Sequence, residues 1–240
     1  MLKSAPKIMR KKMSIFSLIK EDLAQPKLKD PAYNSFCDVF FNYPGIWAVA
    51  NHRIAHALWN KGFKCLARII AGISNALTRV DLHPAAQLGR RVFIDHATGV
   101  VIGETAIIGD DCLIYQGVTL GGVSLEKTKR HPTLREGVVV GAGAKILGNI
   151  TIGKGCKIGA NAVVTKPMDD FCTAVGNPAR IISKSDAPLN KLPDIEKKLF
   201  LYLLQRLNKL ENGLCGLGAK TEHTELEKEF ENFLKSLEKE

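Results

Sequence analysis

The middle of the chain carries a hydrophobic repeat of six residues, which fits neither a helix nor a simple alternating strand. An aliphatic residue returns at every sixth position, with one shift of two residues and one longer break, at Leu82, Leu88, Ile94, Val100, Ile102, Ile108, Ile114, Leu120, Val140, Ile146, Ile152, Ile158 and Val164. Glycine often follows the aliphatic residue, and a small residue often lies four positions after it. This pattern is typical of a triangular coil in which each aliphatic side chain points inward and stacks on the one a full coil earlier.

The thirteen hexapeptides predict a left-handed parallel β-helix over residues 81–183, with a little over four coils. The left hand is the one found in proteins that carry this repeat. The break between Leu120 and Val140 predicts a polar loop over residues 122–136 that leaves the coil. A loop rich in Lys, Arg and His on a rigid scaffold is a common location for a functional site.

The segments on either side of the repeat have helical spacing. Residues 13–80 predict an N-terminal α-helical domain, with turn signals at residues 29–31 and 43–45. Residues 184–240 predict a helical, coiled-coil-like tail, because their large apolar residues recur at alternating steps of three and four. Such a tail is suited to holding an oligomer together.

Composition excludes several classes of protein. With 45% hydrophobic and 24% charged residues, the chain is neither collagen-like nor disordered. No uncharged stretch is long enough for a membrane-spanning helix, which needs about 18 residues. The six cysteines contain no CxxC pair, so we expect reduced thiols in a cytoplasmic protein, and no metal site.

The net charge of +10 is unevenly distributed. Half of it lies in the basic leader, residues 1–12, which is expected to be disordered; an organellar presequence and a start at Met13 are both open interpretations. The remaining positive charge suits an anionic ligand such as a nucleotide or a phosphate. Nucleic acid is not an expected partner, because no helix-turn-helix, zinc-finger or RNA-binding signature is present.

Three of the six histidines, His83, His96 and His131, lie in or beside the coil. Asp81 precedes His96 by slightly less than the length of one coil, which predicts that the two side chains lie near one edge of neighbouring coils. A carboxylate beside an imidazole fixes its tautomer and raises its basicity, as in the orienting half of a nucleophilic triad. No serine or cysteine is placed as a nucleophile, so the hydroxyl would come from the substrate.

Five segments, in chain order, closely resemble the serine O-acetyltransferase family: DLHPAAQLG, IDHATGVVIGETA, YQGVTLGG, KRHPTLREGVVVGAGAKILGNITIG and GNPARI. The resemblance extends from about Ser14 to Ile182 and includes IKEDL and KDPA in the helical part. It implies transfer of an acetyl group from acetyl-CoA to the hydroxyl of L-serine, which gives O-acetyl-L-serine for L-cysteine biosynthesis. Acetyl-CoA would be a co-substrate, and no permanently bound cofactor is implied.

The resemblance also implies residue roles. The catalytic positions of the family are matched by His96, the general base, and by Asp81, which would orient it. The positions that hold serine are matched by Asp30, Asp95, Arg130 and His131, the last two from a neighbouring subunit. The positions that contact acetyl-CoA are matched by Gly122, Ala142, Ala160 and, with less support, Lys157.

The family forms trimers, and its larger members pair trimers into hexamers through a longer helical domain. The short helical segment here favours a homotrimer. Val123 and Ser124 replace a Thr-Gly pair that is usual in the family loop. Many members dock O-acetylserine sulfhydrylase through a terminal isoleucine, whereas this sequence ends in Glu240, so docking by that route is not expected.

Three alternatives remain open. A related acyltransferase would use homoserine or a sugar as acceptor, although Asp30 together with Arg130 and His131 favours an amino acid. A γ-type carbonic anhydrase would hold zinc with three histidines of the same coil. A scaffold would recruit a partner through its tail, but it would not need Asp81 and His96. Feedback inhibition by cysteine cannot be predicted from this sequence.

Overall fold

The computed structural model describes residues 13–183 and four further residues, Tyr202, Leu203, Arg206 and Leu207. The chain divides into two compact units, Met1–Asn190 and Lys191–Glu240. The four residues of the second unit are helical and exposed. The predicted leader at 1–12 and the rest of the predicted tail at 184–240 lie outside the described residues.

Five helices precede the repeat: α1 Ile15–Leu23, α2 Gln25–Lys29, α3 Phe36–Phe41, α4 Pro44–Asn60 and α5 Lys64–Thr78. Local chemistry sets their starts. The Ser14 hydroxyl accepts a hydrogen bond from the backbone N–H of Ser17 at the start of α1, and α4 begins at Pro44, whose fixed φ suits a first helical position. Within the described part of the chain, none of the helices combines the length and apolar character needed to span a bilayer.

The strands of the repeat are short and follow one another around a prism. They are β1 Val80–Leu82, β2 Gln87–Leu88, β3 Phe93–Ile94, β4 Val100–Ile102, β5 Ile107–Ile108, β6 Leu113–Ile114, β7 Thr119–Gly121, β8 Thr133–Leu134, β9 Val139–Val140, β10 Lys145–Leu147, β11 Thr151–Ile152, β12 Lys157–Ile158, β13 Val163–Val164, β14 Thr173–Val175 and β15 Arg180–Ser183.

Every third strand belongs to the same sheet. Sheet A has the order β1-β4-β7-β10-β13, sheet B the order β2-β5-β8-β11, and sheet C the order β3-β6-β9-β12-β14-β15. All pairings are parallel except that of β14 with β15, a hairpin that closes the top of sheet C. The predicted parallel β-helix is therefore confirmed, and the five strands of sheet A give it about five coils rather than a little over four.

The aliphatic residues of the repeat form the core. On sheet A, Leu82, Ile102 and Leu120 stack in register and are buried. On sheet B, Leu134 pairs with Ile108 below and lies in the same buried column. The hexapeptide count missed Leu134, because the loop before it shifts the phase of the repeat.

Coil length varies where residues are added at a corner. The pairing of Lys145 with Val163 on sheet A spans three hexapeptides, the length of a regular coil. Val80 pairs with Val100, so the first coil is two residues longer than a regular coil. Thr119 pairs with Lys145, so the coil that contains the loop is eight residues longer than a regular coil. The loop predicted at 122–136 ends earlier than expected, because the chain is back in the coil at β8.

The helices cap the first coil, whose downward-facing carbonyls have no coil below them. The guanidinium of Arg53 donates to the carbonyls of Leu88 (2.9 Å) and Gly89 (2.6 Å). The ammonium of Lys29 donates to the carbonyl of Arg91 at 2.7 Å. Arg53 also binds the buried carboxylate of Asp22 through two of its nitrogens, at 3.0 and 3.2 Å. The helices are therefore bonded to the open edge of the prism and supply hydrogen-bond donors that it lacks.

We expect Arg53→Met to lower the free energy of unfolding by about 3–5 kcal/mol, because the Asp22 carboxylate and two carbonyls would stay buried without donors. Thermal unfolding at a fixed protein concentration measures the loss. The control is Lys154→Ala, which removes an exposed pair with Glu136 (3.3 Å) and is expected to cost at most about 1 kcal/mol. Equal effects of the two substitutions would contradict the capping role of Arg53.

Candidate active site

Two corners of the prism flank sheet A and hold most of the predicted site residues. The His96 corner comprises residues 95–99, 116–117, 142–143 and 160–161, which precede successive strands of sheet A and are linked by backbone hydrogen bonds between coils. The His131 corner follows the strands of sheet A and comprises residues 83, 103–105, 121–122 and 130–131.

The two surplus residues of the first coil form the turn that presents His96. His96 and Ala97 have left-handed backbones, with φ of 56° and 49°, which is uncommon for residues other than glycine. The His96 side chain is 70% exposed. The carboxylate of Asp95 accepts the backbone N–H of His96 at 2.9 Å, and its other oxygen lies 3.9 Å from His96 Nε2. The turn thus holds an imidazole at the surface with a carboxylate beside it.

The end of α2 brings Asp30 to the same corner. Its carboxylate accepts hydrogen bonds from the hydroxyl of Tyr43 (2.6 Å) and the backbone N–H of Ala32 (2.8 Å). These two donors stabilise the charged form and lower the pKa of Asp30, the Tyr43 bond more strongly.

An open cavity of about 240 Å³ lies at this corner. Its lining includes Asp30, Asp38, Asp95 and His96. The backbone N–H groups of Ser35 and Asn34 lower the pKa of Asp38, which keeps that carboxylate charged. Three carboxylates beside one imidazole can bind a small cation such as an ammonium group and accept a proton from a neighbouring hydroxyl.

The loop returns to the coil at the His131 corner. Its Arg130 guanidinium binds the Glu104 carboxylate at 2.7 Å, and this bond lowers the pKa of Glu104. The buried ring of His131 occupies the space that a side chain at Gly103 would fill, and Nε2 also faces Gly122. Glycine is therefore required at position 103, and a side chain at position 122 would be crowded by Arg130 and His131. The corner presents a cation beside an imidazole.

Asp81 does not meet His96 within one chain, and the predicted pairing of these two side chains is wrong in that respect. His96 follows Asp81 by less than one coil, so it lies at the end of the same coil, and the two surplus residues there put Asp81 in register with Val101, five residues after His96. In the described part of the chain, no hydrogen bond or ion pair joins Asp81 to His96. Asp81 lies exposed in the middle of β1, on sheet A between the two corners, and its charge acts on His83.

The residues predicted to contact acetyl-CoA lie in three places. Ala142 and Ala160 are at the His96 corner, two and three coils above His96. Gly122 is at the His131 corner, where the loop leaves β7. Lys157 is on sheet C, in β12. The structure thus gathers Asp30, Asp95, His96, Ala142 and Ala160 at one corner, and Gly122, Arg130 and His131 at the other.

Comparison with known proteins identifies the family of the chain. Residues 131–166 match the family model described as bacterial transferase hexapeptide (six repeats). The chain is 45% identical to a serine acetyltransferase of Bacillus pumilus over 215 residues, which is 87% of this chain and 99% of that protein. It is 48% identical to that of Mycobacterium tuberculosis over 202 residues, 82% of this chain and 88% of that protein.

A solved structure supports the same relationship. The serine acetyltransferase of Neisseria gonorrhoeae, in complex with serine, superposes with a TM-score of 0.67 at 41% identity, over 70% of this chain and 69% of that one. The chain belongs to the serine acetyltransferase family. Its members are acyltransferases, so the resemblance inferred from the motifs is confirmed.

In this member of the serine acetyltransferase family, several residues at the two corners were not predicted. Tyr43 was read only as part of a turn signal, and its hydroxyl bond to Asp30 joins residues 13 positions apart. Glu104 and Thr105 follow Gly103 in the segment IGETA and bond to residues of the loop. Two consecutive polar residues at a corner beside the loop are the only sequence signal that could have indicated Glu104 and Thr105.

We expect Tyr43→Phe to raise the pKa of Asp30, because the strongest donor to the charged carboxylate is removed. A carboxyl-carbon NMR titration, assigned with Asp30→Asn, measures the shift. A ligand that binds the charged Asp30 carboxylate loses affinity as the pH is lowered through this pKa. In Tyr43→Phe this loss of affinity should therefore begin at a higher pH. Tyr115→Phe is the matched control, since no described hydrogen bond joins Tyr115 to Asp30. An unchanged Asp30 titration in Tyr43→Phe would contradict this contact.

Proposed function

We propose that the chain is a serine O-acetyltransferase, which transfers the acetyl group of acetyl-CoA to the hydroxyl of L-serine for L-cysteine biosynthesis. The observation that carries the proposal is the division of charge between the two corners. Carboxylates surround His96 at one corner, and a guanidinium lies beside an imidazole at the other. An amino acid carries an ammonium and a carboxylate, and these groups match the two corners respectively. The serine bound in the gonococcal relative supports the same substrate.

One chain cannot complete this site. Gly99 and Gly103 mark the two corners and lie four residue steps apart, on either side of β4, a distance of about 13 Å. Serine is much shorter than that, so the His96 corner of one subunit must meet the His131 corner of the next. In a closed ring with such a head-to-tail interface, every His96 corner meets the His131 corner of a neighbouring subunit. This requirement supports a homotrimer, with one site in each groove between prisms.

His96 is the general base of the proposed reaction. It takes the proton of the serine hydroxyl as the oxygen attacks the carbonyl carbon of the acetyl thioester. The resulting tetrahedral oxyanion collapses, the carbon–sulfur bond breaks, and the CoA thiolate leaves with the proton that His96 carries. Asp30 and Asp95 hold the serine ammonium, and Arg130 and His131 of the adjacent subunit hold its carboxylate. These contacts fix the hydroxyl beside His96, which supplies much of the rate by orientation.

Acetyl-CoA would lie along the groove above His96. The backbone at Ala142 and Ala160 continues the His96 corner upward, and Gly122 of the adjacent subunit faces this backbone across the groove. Small residues at these positions allow the pantetheine chain to approach the backbone closely. Lys157, on sheet C, is the proposed cationic contact. The five described cysteines are unpaired, and we assign the enzyme to the cytoplasm, where thiols stay reduced.

Asp81 acts across the interface in this proposal. Its exposed side chain has no described bond to His96 of its own chain, but it lies on the sheet that separates the two corners. In the trimer, the His131 corner of one subunit faces His96 of its neighbour. We therefore assign Asp81 to the His96 of the adjacent subunit, which it would orient and stabilise as the imidazolium forms.

We expect CoA release, followed by thiol titration, with acetyl-CoA and L-serine but not with L-homoserine or a galactoside. His96→Asn should lower turnover by about two to four orders of magnitude, because general-base catalysis is lost. CoA binding, measured by calorimetry, should persist in that variant. Near-normal turnover in His96→Asn would overturn the base assignment. Release with another acceptor alone would favour the related acyltransferase.

Mixed trimers test the shared site. His96→Asn and Arg130→Ala are each expected to be nearly inactive alone. In a trimer that contains both, one of the three grooves pairs an intact His96 with an intact Arg130. Equal co-expression should restore about a quarter of wild-type turnover, since the subunits mix at random around the ring. No recovery, with mixed trimers verified by mass spectrometry, would contradict a site built from two chains.

The same experiment locates the partner of Asp81. If Asp81 serves the neighbouring His96, Asp81→Asn mixed with His96→Asn should also recover about a quarter of the turnover. If it serves its own chain, neither kind of subunit has an intact pair and no recovery occurs. Each parent variant alone provides the baseline.

A further inference from the structure

We infer that Thr105 is a positioning residue that locks His131 in the tautomer with its proton on Nε2, so that His131 acts as a neutral hydrogen-bond donor. The inference deepens the proposed function, because it concerns the imidazole assigned to the serine carboxylate. Thr105 itself lies behind the His131 ring and is not assigned any contact with a substrate.

The evidence is a complete set of hydrogen bonds around one hydroxyl. Thr105 Oγ1 accepts the backbone N–H of Arg130 at 3.0 Å and that of His131 at 3.1 Å. A hydroxyl has two acceptor positions and one donor, so both acceptor positions are used. Its hydrogen is left to donate, and His131 Nδ1 lies 2.9 Å from the oxygen. The hydroxyl therefore donates to Nδ1.

A second donor points at the same nitrogen. The backbone N–H of Thr105 lies 3.2 Å from His131 Nδ1, and a backbone amide can only donate. Nδ1 must therefore carry a lone pair rather than a proton. In a neutral imidazole the proton is then on Nε2, which lies on the side of Gly122. One threonine thus fixes the tautomer through both its main chain and its side chain.

The surroundings of His131 also oppose a positive charge on the ring. Burial lowers its pKa most, and Arg130 and Lys129 lower it further, while Glu104 opposes them. His83 also faces this ring, and its own pKa is lowered by burial. Protonating Nδ1 would in addition break both bonds from Thr105. These effects and the two bonds from Thr105 all favour the neutral form of His131.

This fixed tautomer determines which group of an amino acid the His131 corner can bind. A neutral Nε2–H can donate to a carboxylate but cannot accept from an ammonium group, and Arg130 likewise only donates. This arrangement favours binding of an amino acid with its carboxylate at the His131 corner, where the Glu104 carboxylate is already paired with Arg130, and its ammonium at the acidic His96 corner. The hydroxyl is thereby directed to His96.

The first test needs no activity. The full-length protein, labelled with ¹⁵N-histidine and assigned with His131→Asn, should give the ring-nitrogen signals of the neutral Nε2–H form of His131 at pH 7. In Thr105→Val, which keeps the shape but removes the hydroxyl, the pKa of His131 should rise. Thr105→Ser keeps the hydroxyl and should match the wild type. A wild-type His131 that is cationic or carries its proton on Nδ1 at pH 7 overturns the inference.

The second test uses kinetics. Thr105→Val should raise the serine KM about tenfold and leave the acetyl-CoA KM within about twofold, because one positioned hydrogen bond to serine is weakened. Thr105→Ser should stay near the wild type in both. Equal increases in both KM values would mean that Thr105 only supports the fold. If the tautomer is as expected but no acceptor releases CoA, the proposed function fails and the role of Thr105 in fixing His131 stands.

Discussion

The parallel stacking of one coil on the next is the constraint on which the whole structure depends. Strands of two to four residues cannot persist alone, and each is held by hydrogen bonds to the coils above and below and by one inward aliphatic side chain. Each such side chain, fully buried, contributes about 1.5–3 kcal/mol. Because the column must stay in register, extra residues are tolerated only at corners. The chain has added two residues in one corner and eight in another, and both additions carry groups assigned to the site.

In the proposed function, the two corners divide the recognition of a small zwitterion. One presents carboxylates and an imidazole, and the other presents an imidazole and a guanidinium that is paired with Glu104. Each corner is rigid because the prism behind it is rigid, so neither needs to move far to be effective. This separation also explains why the groups form no cluster in an isolated chain. The geometry of sheet A holds them apart, and in the proposed trimer a second copy of the sheet would bring opposite corners together.

Much of this arrangement could be predicted from the sequence, and the failures have specific physical causes. The inward aliphatic residues could be predicted because they recur every six residues. His96 could be predicted because it lies where that period is interrupted. Leu134 was missed because the loop hides its phase. The pairing of Asp81 with His96 assumed a regular coil of three hexapeptides, whereas the surplus turn moves Asp81 into register with Val101. Tyr43 and Thr105 act through hydrogen bonds to residues distant in sequence, which leave no periodic pattern.

The capping of the first coil by Arg53 and Lys29 has a consequence beyond the stability of one chain. A stack of parallel strands ends in a row of unpaired N–H and C=O groups, and another β-helix or an extended peptide could add to that row. Two cationic side chains occupy part of the lower edge, and the antiparallel hairpin of β14 and β15 reverses the pairing direction at the upper edge of sheet C. These features oppose the end-to-end stacking of one prism on another, which would otherwise produce a fibril.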